Sequence, residues 1–329
     1  MTNYNKYNLN LIAPSGYSPI AKIEQSIKIW KSMGNNIDDI QVESIKHRIH
    51  LRFGGSDLQR ENDLYLTKFC SLNIYDNYAA SNNINIAMPV RGGYGLSRII
   101  DKADWYKIAS LINNNDVKFV GHSDFTLFHL ALYRFTKTIS YAGPMFTSDF
   151  YVESIDNLDL FMLDSFNKAM HQEGLKYNIK PHILNKNSRN DNIEGILWGG
   201  NLSMLCSIIG SDYMPNIKDG ILFIEDINEQ PYCIERLLHQ LYHSHILTQQ
   251  VAVIFADFSD YKTTDYDNGY SLQHVIDYWQ EKLAKYNIPV FTNLAFGHCK
   301  TKATLPIGKE CIIINDFNNT NNSILLVNI

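Results

Sequence analysis

Ser123 lies where an apolar strand ends and a helix begins. It follows Gly121-His122, and a segment rich in Leu and Phe begins at Asp124. A serine on so sharp a turn projects its hydroxyl away from the sheet, and the N–H groups at the helix N-terminus can stabilise a developing oxyanion. The lipase-type G-x-S-x-G motif is absent, because Phe125 occupies its last position. This segment alone therefore allows two interpretations, a nucleophile or an ordinary N-cap serine.

A serine nucleophile needs a base to take its proton, and eleven histidines compete for that role. His122 adjoins the serine, but on an extended segment we expect it to point to the opposite face. His129 lies nearly two helical turns further on, and His243 and His245 form an H-x-H pair without further ligands nearby, which favours a helix end over a metal site. His298 differs, because it follows a strand and a glycine in a loop that can present an imidazole.

Glu225 is the candidate for the acidic partner of such a base. It follows the apolar run Ile221–Ile224 at the predicted carboxyl end of a buried strand, where ligand and catalytic groups of α/β proteins gather. A carboxylate there can orient a histidine and stabilise its imidazolium. An ion-pair partner or a helix N-terminal acid is the alternative, and Asp226 is the competing residue.

Two glycine-rich loops also stand out, one after a predicted strand and one before a predicted helix. In Arg91-Gly92-Gly93-Tyr94-Gly95 the third glycine of a dinucleotide fingerprint is missing, and no G-K-[ST] occurs in the chain. The glycines would instead let the backbone approach a substrate carbonyl and donate an N–H group. Gly199-Gly200-Asn201 is a similar loop, with a simple turn as the alternative.

The elements that must position these residues follow from hydrophobic periodicity. Strands alternate with helices through the first half, which predicts an α/β fold with a parallel sheet and helices on both faces. The predicted strands of this half are Leu9–Ala13, Arg48–Phe53, Ile84–Met88 and Val117–Val120. One predicted helix places Ile23, Ile27 and Trp30 on one face, and another begins at a capping box of Ser56 and Gln59.

The second half is more mixed. An Asn- and Lys-rich stretch follows a predicted helix at Leu158–His171, and short apolar runs near 221–224, 251–256, 289–291, 311–314 and 324–327 predict strands. We expect an N-terminal domain at 1–155, a linker region at 156–190 and a smaller C-terminal domain at 191–329.

Composition narrows the classes of function. Charged residues make up 19% and the net charge is -5, which argues against nucleic acid as a partner. The five cysteines (Cys70, Cys206, Cys233, Cys299 and Cys311) have no C-x-x-C spacing, so we expect reduced thiols rather than disulfides or a zinc site. We find no signal peptide and no apolar stretch of membrane-spanning length. A cytoplasmic protein that does not bind membranes is expected.

Taken together, these segments resemble the LD-carboxypeptidase family of serine peptidases, which includes muramoyl-tetrapeptide carboxypeptidases and microcin-immunity peptidases. The resemblance rests on ten short motifs that occur in family order along almost the whole chain. They are Ala13-Pro14-Ser15-Gly16, Gly55-Ser56-Asp57 with Arg60, Arg91 to Gly95, Gly121 to Thr126, Gly143-Pro144, Gly199 to Leu202, Phe223 to Asp226, Arg236-Leu237, Phe296-Gly297-His298 and Leu305 to Gly308.

The resemblance implies the roles of the site residues. Ser123 would be the nucleophile, His298 the base and Glu225 its orienting acid, with the backbone N–H groups of Asp124 and Gly93 as the oxyanion hole. It also implies a flavodoxin-like N-terminal domain, a swivelling-type C-terminal domain, a site at their interface and a homodimer. No metal or organic cofactor is implied.

The expected activity is removal of the terminal D-alanine from murein tetrapeptides through an acyl-enzyme, in peptidoglycan recycling or remodelling. We predict that Arg91, Tyr94 and Asn201 bind the peptide, with Arg91 on the free D-alanine carboxylate. The alternatives are a microcin-immunity-type peptidase acting on aminoacyl-nucleotide amides and a non-catalytic peptide-binding module. His122 and Ala142 depart from residues common in the family and could reshape the pocket, and Glu235 stands where aspartate often occurs.

Overall fold

The computed structural model describes residues 6–66, 83–182, 192–315 and 322–327. Within these ranges the strands are β1 (Tyr7–Ile12), β2 (Asn36–Ile37), β3 (Ile84–Pro89), β4 (Val117–Gly121), β5 (Ser140–Ala142), β6 (Leu175–Pro181), β7 (Ile193–Asn201), β8 (Gly220–Ile227), β9 (Ala252–Ser259), β10 (Val290–Thr292), β11 (Leu305–Ile307), β12 (Glu310–Asn315) and β13 (Ser323–Val327). The α-helices of the same ranges are α1 (Ile20–Ser32), α2 (Asp39–Lys46), α3 (Asp57–Leu64), α4 (Trp105–Asn115), α5 (Thr126–Thr136), α6 (Phe146–Asp149), α7 (Leu160–Met170), α8 (Leu202–Ser207), α9 (Pro231–His243) and α10 (Leu272–Ala284).

The first sheet has the strand order β2-β1-β3-β4-β5-β11. Its first five strands pair in parallel, as expected for strands joined by helical crossovers. Strand β1 is buried along its whole length, because helices cover the sheet. The predicted α/β fold with a parallel sheet is thereby confirmed.

The last strand of this sheet comes from the far end of the chain. Strand β11 pairs antiparallel with β5, with Leu305 opposite Ala142 and Ile307 opposite Ser140. The loop that precedes β11 contains His298. The pairing therefore fixes the end of that loop against the sheet that carries Ser123.

The second sheet is a closed barrel in the order β10-β6-β13-β12-β7-β8-β9. Strands β7 to β10 pair in parallel, whereas β6, β12 and β13 pair antiparallel. Strand β10 closes the barrel, because it pairs with both β9 and β6. Strand β6 lies within the segment predicted as a linker, and the domain bounds stay a prediction.

Local signals located several helices but missed one turn. The capping box of Ser56 and Gln59 is formed, and α3 begins at Asp57. The predicted strand at Arg48–Phe53 is wrong, because these residues form a turn with two isolated bridges at Phe53 and a left-handed Leu51. The neighbouring position beside β1 is taken instead by the two-residue strand β2, which leaves the 48–53 segment without a strand to pair with.

Four of the five cysteines lie in the described ranges, and Cys206, Cys233, Cys299 and Cys311 are free thiols. Cys70 falls outside the described residues. Among the helices of the described ranges, none has the length and apolarity needed to cross a membrane.

Candidate active site

The turn after β4 holds Ser123 in an unusual backbone conformation. Its φ is 61°, in the left-handed region that costs a residue with a side chain about 1 kcal/mol or more. The Phe125 N–H donates to the carbonyl of His122 at 3.1 Å, and α5 starts directly afterwards. The strained turn places the serine between the end of a strand and the start of a helix, as the sequence predicts.

Three side chains from distant parts of the chain meet at this turn. Ser123 Oγ lies 3.1 Å from Nε2 of His298, and His298 Nδ1 lies 2.9 Å from Oε2 of Glu225. A carboxylate only accepts, so Nδ1 carries the proton and Nε2 is free to accept the serine hydroxyl. Serine, histidine and carboxylate are therefore arranged as a nucleophile, a base and an orienting acid require.

Glu225 reaches the histidine because strand β8 is irregular at that point. The register between β8 and β9 shifts between Ile224 and Asp226, and such a bulge redirects a side chain. Glu225 is completely buried, and a Cβ at Gly297 would lie only 3.2 Å from its Oε2. Glycine before the histidine thus allows the loop to approach the acid closely.

Asp226 does not compete with Glu225 for the histidine. Its Oδ2 accepts from the N–H and hydroxyl of Ser203, at 2.9 and 2.7 Å, and its Oδ1 accepts from the amide of Asn201 at 2.9 Å. These contacts join the end of β7 and the start of α8 to β8. Asp226 supports the strand junction beside the site.

The electrostatics of His298 result from opposing effects. Burial lowers the pKa of the imidazole, but the hydrogen bond and charge of Glu225 outweigh it, so that the pKa is raised above its usual value. Lys302 opposes Glu225, and Asp226 adds to it. The carboxylate therefore stabilises the imidazolium form.

Family models match both halves of the chain that supply these residues. The LD-carboxypeptidase N-terminal domain matches residues 9–143, and the LD-carboxypeptidase C-terminal domain matches residues 194–313. The chain belongs to the LD-carboxypeptidase family. It is accordingly an enzyme of the serine carboxypeptidase type, as the resemblance predicts.

Individual relatives extend over nearly the full chain. A crystal structure of muramoyltetrapeptide carboxypeptidase from Oxalobacter formigenes has 33% identity and a TM-score of 0.80, and the match covers 98% of this chain and 99% of that one. A probable murein peptide carboxypeptidase of Bacillus subtilis is 26% identical over 94% of this chain and 91% of its own length. The microcin C7 self-immunity protein MccF of Escherichia coli is 28% identical over 74% of each.

The glycine loop of this LD-carboxypeptidase family member passes directly against the serine. A Cβ on Gly92 would lie 2.8 Å from Cβ and 2.9 Å from Oγ of Ser123, so only glycine fits there. Gly93 has a φ of 98°, and its N–H has no hydrogen-bond partner in the part of the chain that the structure describes. The loop thus brings a free backbone donor into the neighbourhood of Ser123.

Two buried side chains, whose contacts the sequence did not predict, hold this loop. Arg60 is fully buried and donates to the carbonyls of Pro14 and Gly95, at 2.7 and 2.8 Å. Asp124 accepts from the N–H of Leu96 at 2.9 Å, and burial raises the pKa of its carboxyl. Both belong to motifs that carry the resemblance, and their side chains tie the loops around the serine together.

The three predicted substrate-binding residues lie in different surroundings. Arg91 is exposed and forms no ion pair among the described residues, and Tyr94 is 39% exposed beside Phe53. Asn201 is buried, and its side chain caps α8 through Met204 and donates to Asp226. Arg91 and Tyr94 are therefore open to a ligand, and a contact of Asn201 with substrate stays a prediction.

The prediction that His122 points away from the site is wrong. Its ring centroid lies 5.2 Å from that of His298, because the left-handed backbone of Ser123 breaks the alternation of a regular strand. His129 is a core residue that contacts the carbonyl of Gly121 at 2.9 Å and the hydroxyl of Ser140 at 2.8 Å. Burial lowers its pKa to about 4, which keeps it neutral.

Proposed function

We propose that this protein is an LD-carboxypeptidase that removes the terminal D-alanine from murein tetrapeptides. The scissile bond would join the carbonyl of the L-centre of diaminopimelate to the D-alanine amine. The hydrogen-bonded chain from Ser123 through His298 to Glu225 carries this proposal. The Oxalobacter and Bacillus relatives, named for muramoyltetrapeptide and murein peptide carboxypeptidases, support the choice of substrate.

In the proposed first half-reaction, Ser123 Oγ attacks the scissile carbonyl carbon. Its proton passes to Nε2 of His298, 3.1 Å away, and the buried Glu225 carboxylate stabilises the resulting imidazolium. The carbonyl oxygen becomes an oxyanion beside the glycine loop. We assign its stabilisation to the backbone N–H groups of Asp124 and Gly93.

The tetrahedral intermediate then collapses. His298 returns its proton to the nitrogen of D-alanine, the C–N bond breaks, and an ester remains on Ser123. A water molecule loses a proton to His298 and attacks the ester, which releases the shortened peptide and restores the serine hydroxyl. The route uses only protein groups and water.

The raised pKa of His298 predicts the acid side of the pH profile. The base must be neutral to accept the serine proton, so kcat/KM should rise with pH through the His298 pKa. Because Glu225 raises that pKa, we expect the midpoint above 6.5. Initial rates between pH 5 and 9 measure it, and a midpoint well below 6.5 would contradict the role given to Glu225.

Arg91→Ala is expected to weaken substrate binding. The exposed guanidinium lies on the glycine loop next to the nucleophile and can hold the D-alanine carboxylate bidentately. Loss of one such charge-assisted contact corresponds to an increase in KM of about 10- to 100-fold. Steady-state kinetics measure it, with thermal unfolding to show that stability is unchanged.

Arg98→Ala is the matched control for Arg91. Arg98 lies on the same stretch, but its guanidinium faces Asp57 at 3.4 Å and stacks over Phe53. We expect its KM to remain close to that of the wild type. Unaltered kinetics in Arg91→Ala would rule out the carboxylate-binding role.

The proposed activity is tested by incubating the purified protein with murein tetrapeptide and following D-alanine by mass spectrometry. Release by the wild type and not by Ser123→Ala would support both the reaction and its nucleophile. Absence of release, together with labelling of Ser123 by a fluorophosphonate, would favour the alternative of aminoacyl-nucleotide amides. Absence of both would favour a peptide-binding module.

The remaining expectations form part of the same proposal. The parallel order 2-1-3-4-5 in the first sheet supports a flavodoxin-like N-terminal domain, and the closed barrel would be the swivelling-type domain, with bounds at 1–155 and 191–329. We further propose a cytoplasmic homodimer that acts in peptidoglycan recycling. Size-exclusion chromatography with light scattering tests the oligomeric state.

A further inference from the structure

A buried lysine lies beside the candidate triad. Lys302 follows His298 by four residues, and its side chain is only 2% exposed. Its Nζ lies 2.7 Å from Oδ1 of Asp149 and 3.2 Å from Nε2 of His122. A buried ammonium is costly unless it is paired and hydrogen-bonded, so this contact set needs a reason beyond packing.

The tautomer of His122 follows from its two contacts. Nδ1 lies 2.8 Å from the carbonyl oxygen of Gly143, which only accepts, so Nδ1 carries the proton. Nε2 therefore presents a lone pair, which accepts from the Lys302 ammonium. Burial, and then the charges of Lys302 and His298, hold the pKa of His122 well below its usual value. His122 is thus a neutral connector rather than a second base.

These contacts join three segments of the active site. His122 immediately precedes Ser123, and its ring stands at 77° to that of His298. Asp149 also accepts from the N–H of Met145 at 2.7 Å. Lys302 extends from the loop of the base to both the serine turn and the segment after β5.

We infer that Lys302 is a positioning residue, whose ammonium holds the His298 loop against the Ser123 turn through His122 and Asp149. The His298 loop leads from β10 of the barrel to β11 of the first sheet. Lys302 ties this loop directly to the turn of Ser123, and we expect this tie to help set the 3.1 Å contact between base and nucleophile. The inference rests on the proposed function for its substrate assay.

The charge of Lys302 gives this role a separate signature. Glu225 and Asp226 face His298 with negative charge and raise its pKa, whereas Lys302 lowers it, with the neutral His122 alongside. Removing the ammonium should therefore raise the His298 pKa, so that the rate of reaction at Ser123 rises with pH at a higher pH than in the wild type. Loss of packing alone would leave the midpoint of this rise, the acid limb of the pH profile, unchanged.

The test compares Lys302→Met with the double variant Lys302→Met/Asp149→Asn. The single change leaves a buried carboxylate unpaired and can unfold the protein, whereas the double change removes both charges. We expect kcat for D-alanine release to fall about 10- to 100-fold because the base is misplaced, with KM within about threefold of the wild type. In Lys302→Met, where the ammonium alone is removed, the rate of Ser123 labelling by a fluorophosphonate, measured against pH, should show the shifted limb.

Lys118→Met is the matched control. Lys118 lies on β4, the strand that leads to Ser123. It is also buried, and it also pairs with an aspartate, Asp116, at 3.1 Å. We expect it to keep the wild-type kcat and labelling midpoint. A folded double variant with wild-type kcat, or a folded Lys302→Met with the wild-type labelling midpoint, would overturn the inference. If the wild type is labelled but releases no D-alanine, the proposed substrate fails while the labelling comparison still decides the role of Lys302.

Discussion

Ser123→Ala is expected to lower kcat for D-alanine release by about 10⁶-fold. Without the serine hydroxyl, the histidine and the acid have no nucleophile to activate, so loss of the serine alone costs as much as loss of all three groups. The residual rate would come from substrate binding and the oxyanion donors alone. Mass-spectrometric detection of D-alanine over long incubations measures the loss. A drop of less than about 100-fold would show that another group performs the attack.

The backbone at Ser123 supplies a control for misfolding. Alanine keeps the Cβ that strains the left-handed conformation at φ 61°, so we expect thermal stability close to that of the wild type. Ser123→Gly should be equally inactive but about 1 kcal/mol more stable than the alanine variant, since glycine adopts this region without strain. Ser110→Ala, on the exposed face of α4, should leave both properties unchanged.

Glu225→Gln is expected to lower kcat by about 10⁴-fold with little change in fold. Oε2 of Glu225 accepts from His298, and its Oε1 has no hydrogen-bond partner among the described residues. The neutral amide of glutamine cannot stabilise an imidazolium. Its NH2 group can also donate to Nδ1 of His298, which would leave the proton on Nε2, the nitrogen that must accept from the serine. Because the Glu225 charge raises the His298 pKa, the acid limb of the remaining activity should also move to lower pH.

Asp226→Asn distinguishes catalysis from support of the fold. This neighbouring carboxylate accepts from Ser203 and Asn201 and does not touch the histidine. We expect it to reduce the free energy of unfolding by about 1–3 kcal/mol, with kcat within tenfold of the wild type. The roles given to the two acids would be wrong if Asp226→Asn lost more activity than Glu225→Gln.

The site depends on the contact between the two sheets. Gly200 approaches α5 so closely that a Cβ would lie 2.6 Å from Oγ1 of Thr126, and the Asn201 N–H donates to the same hydroxyl at 3.1 Å. Gly308 likewise has no room for a side chain, because a Cβ would overlap the ring of Tyr133. These glycines let the barrel approach the helix that follows Ser123.

Local sequence was sufficient for the parts of this protein that depend on neighbouring residues. The capping box at Ser56, the strand–turn–helix around Ser123 and the glycine loop after β3 all follow from propensity and spacing over a few positions. The α/β class follows in the same way from the alternation of strands and helices. Motifs in family order then indicated which serine, histidine and acid to expect together.

Long-range pairing decided the rest. No local pattern predicts that β11 joins the sheet of β5, or that β10 closes the barrel through β6, because strand partners are chosen by the packing of the whole chain. The turn at Arg48–Phe53 has a strand-like pattern but lacks a partner strand. The contact of Lys302 with His122 joins residues 180 positions apart. Sequence spacing cannot reveal such a contact, since it exists only once both sheets are folded and packed together.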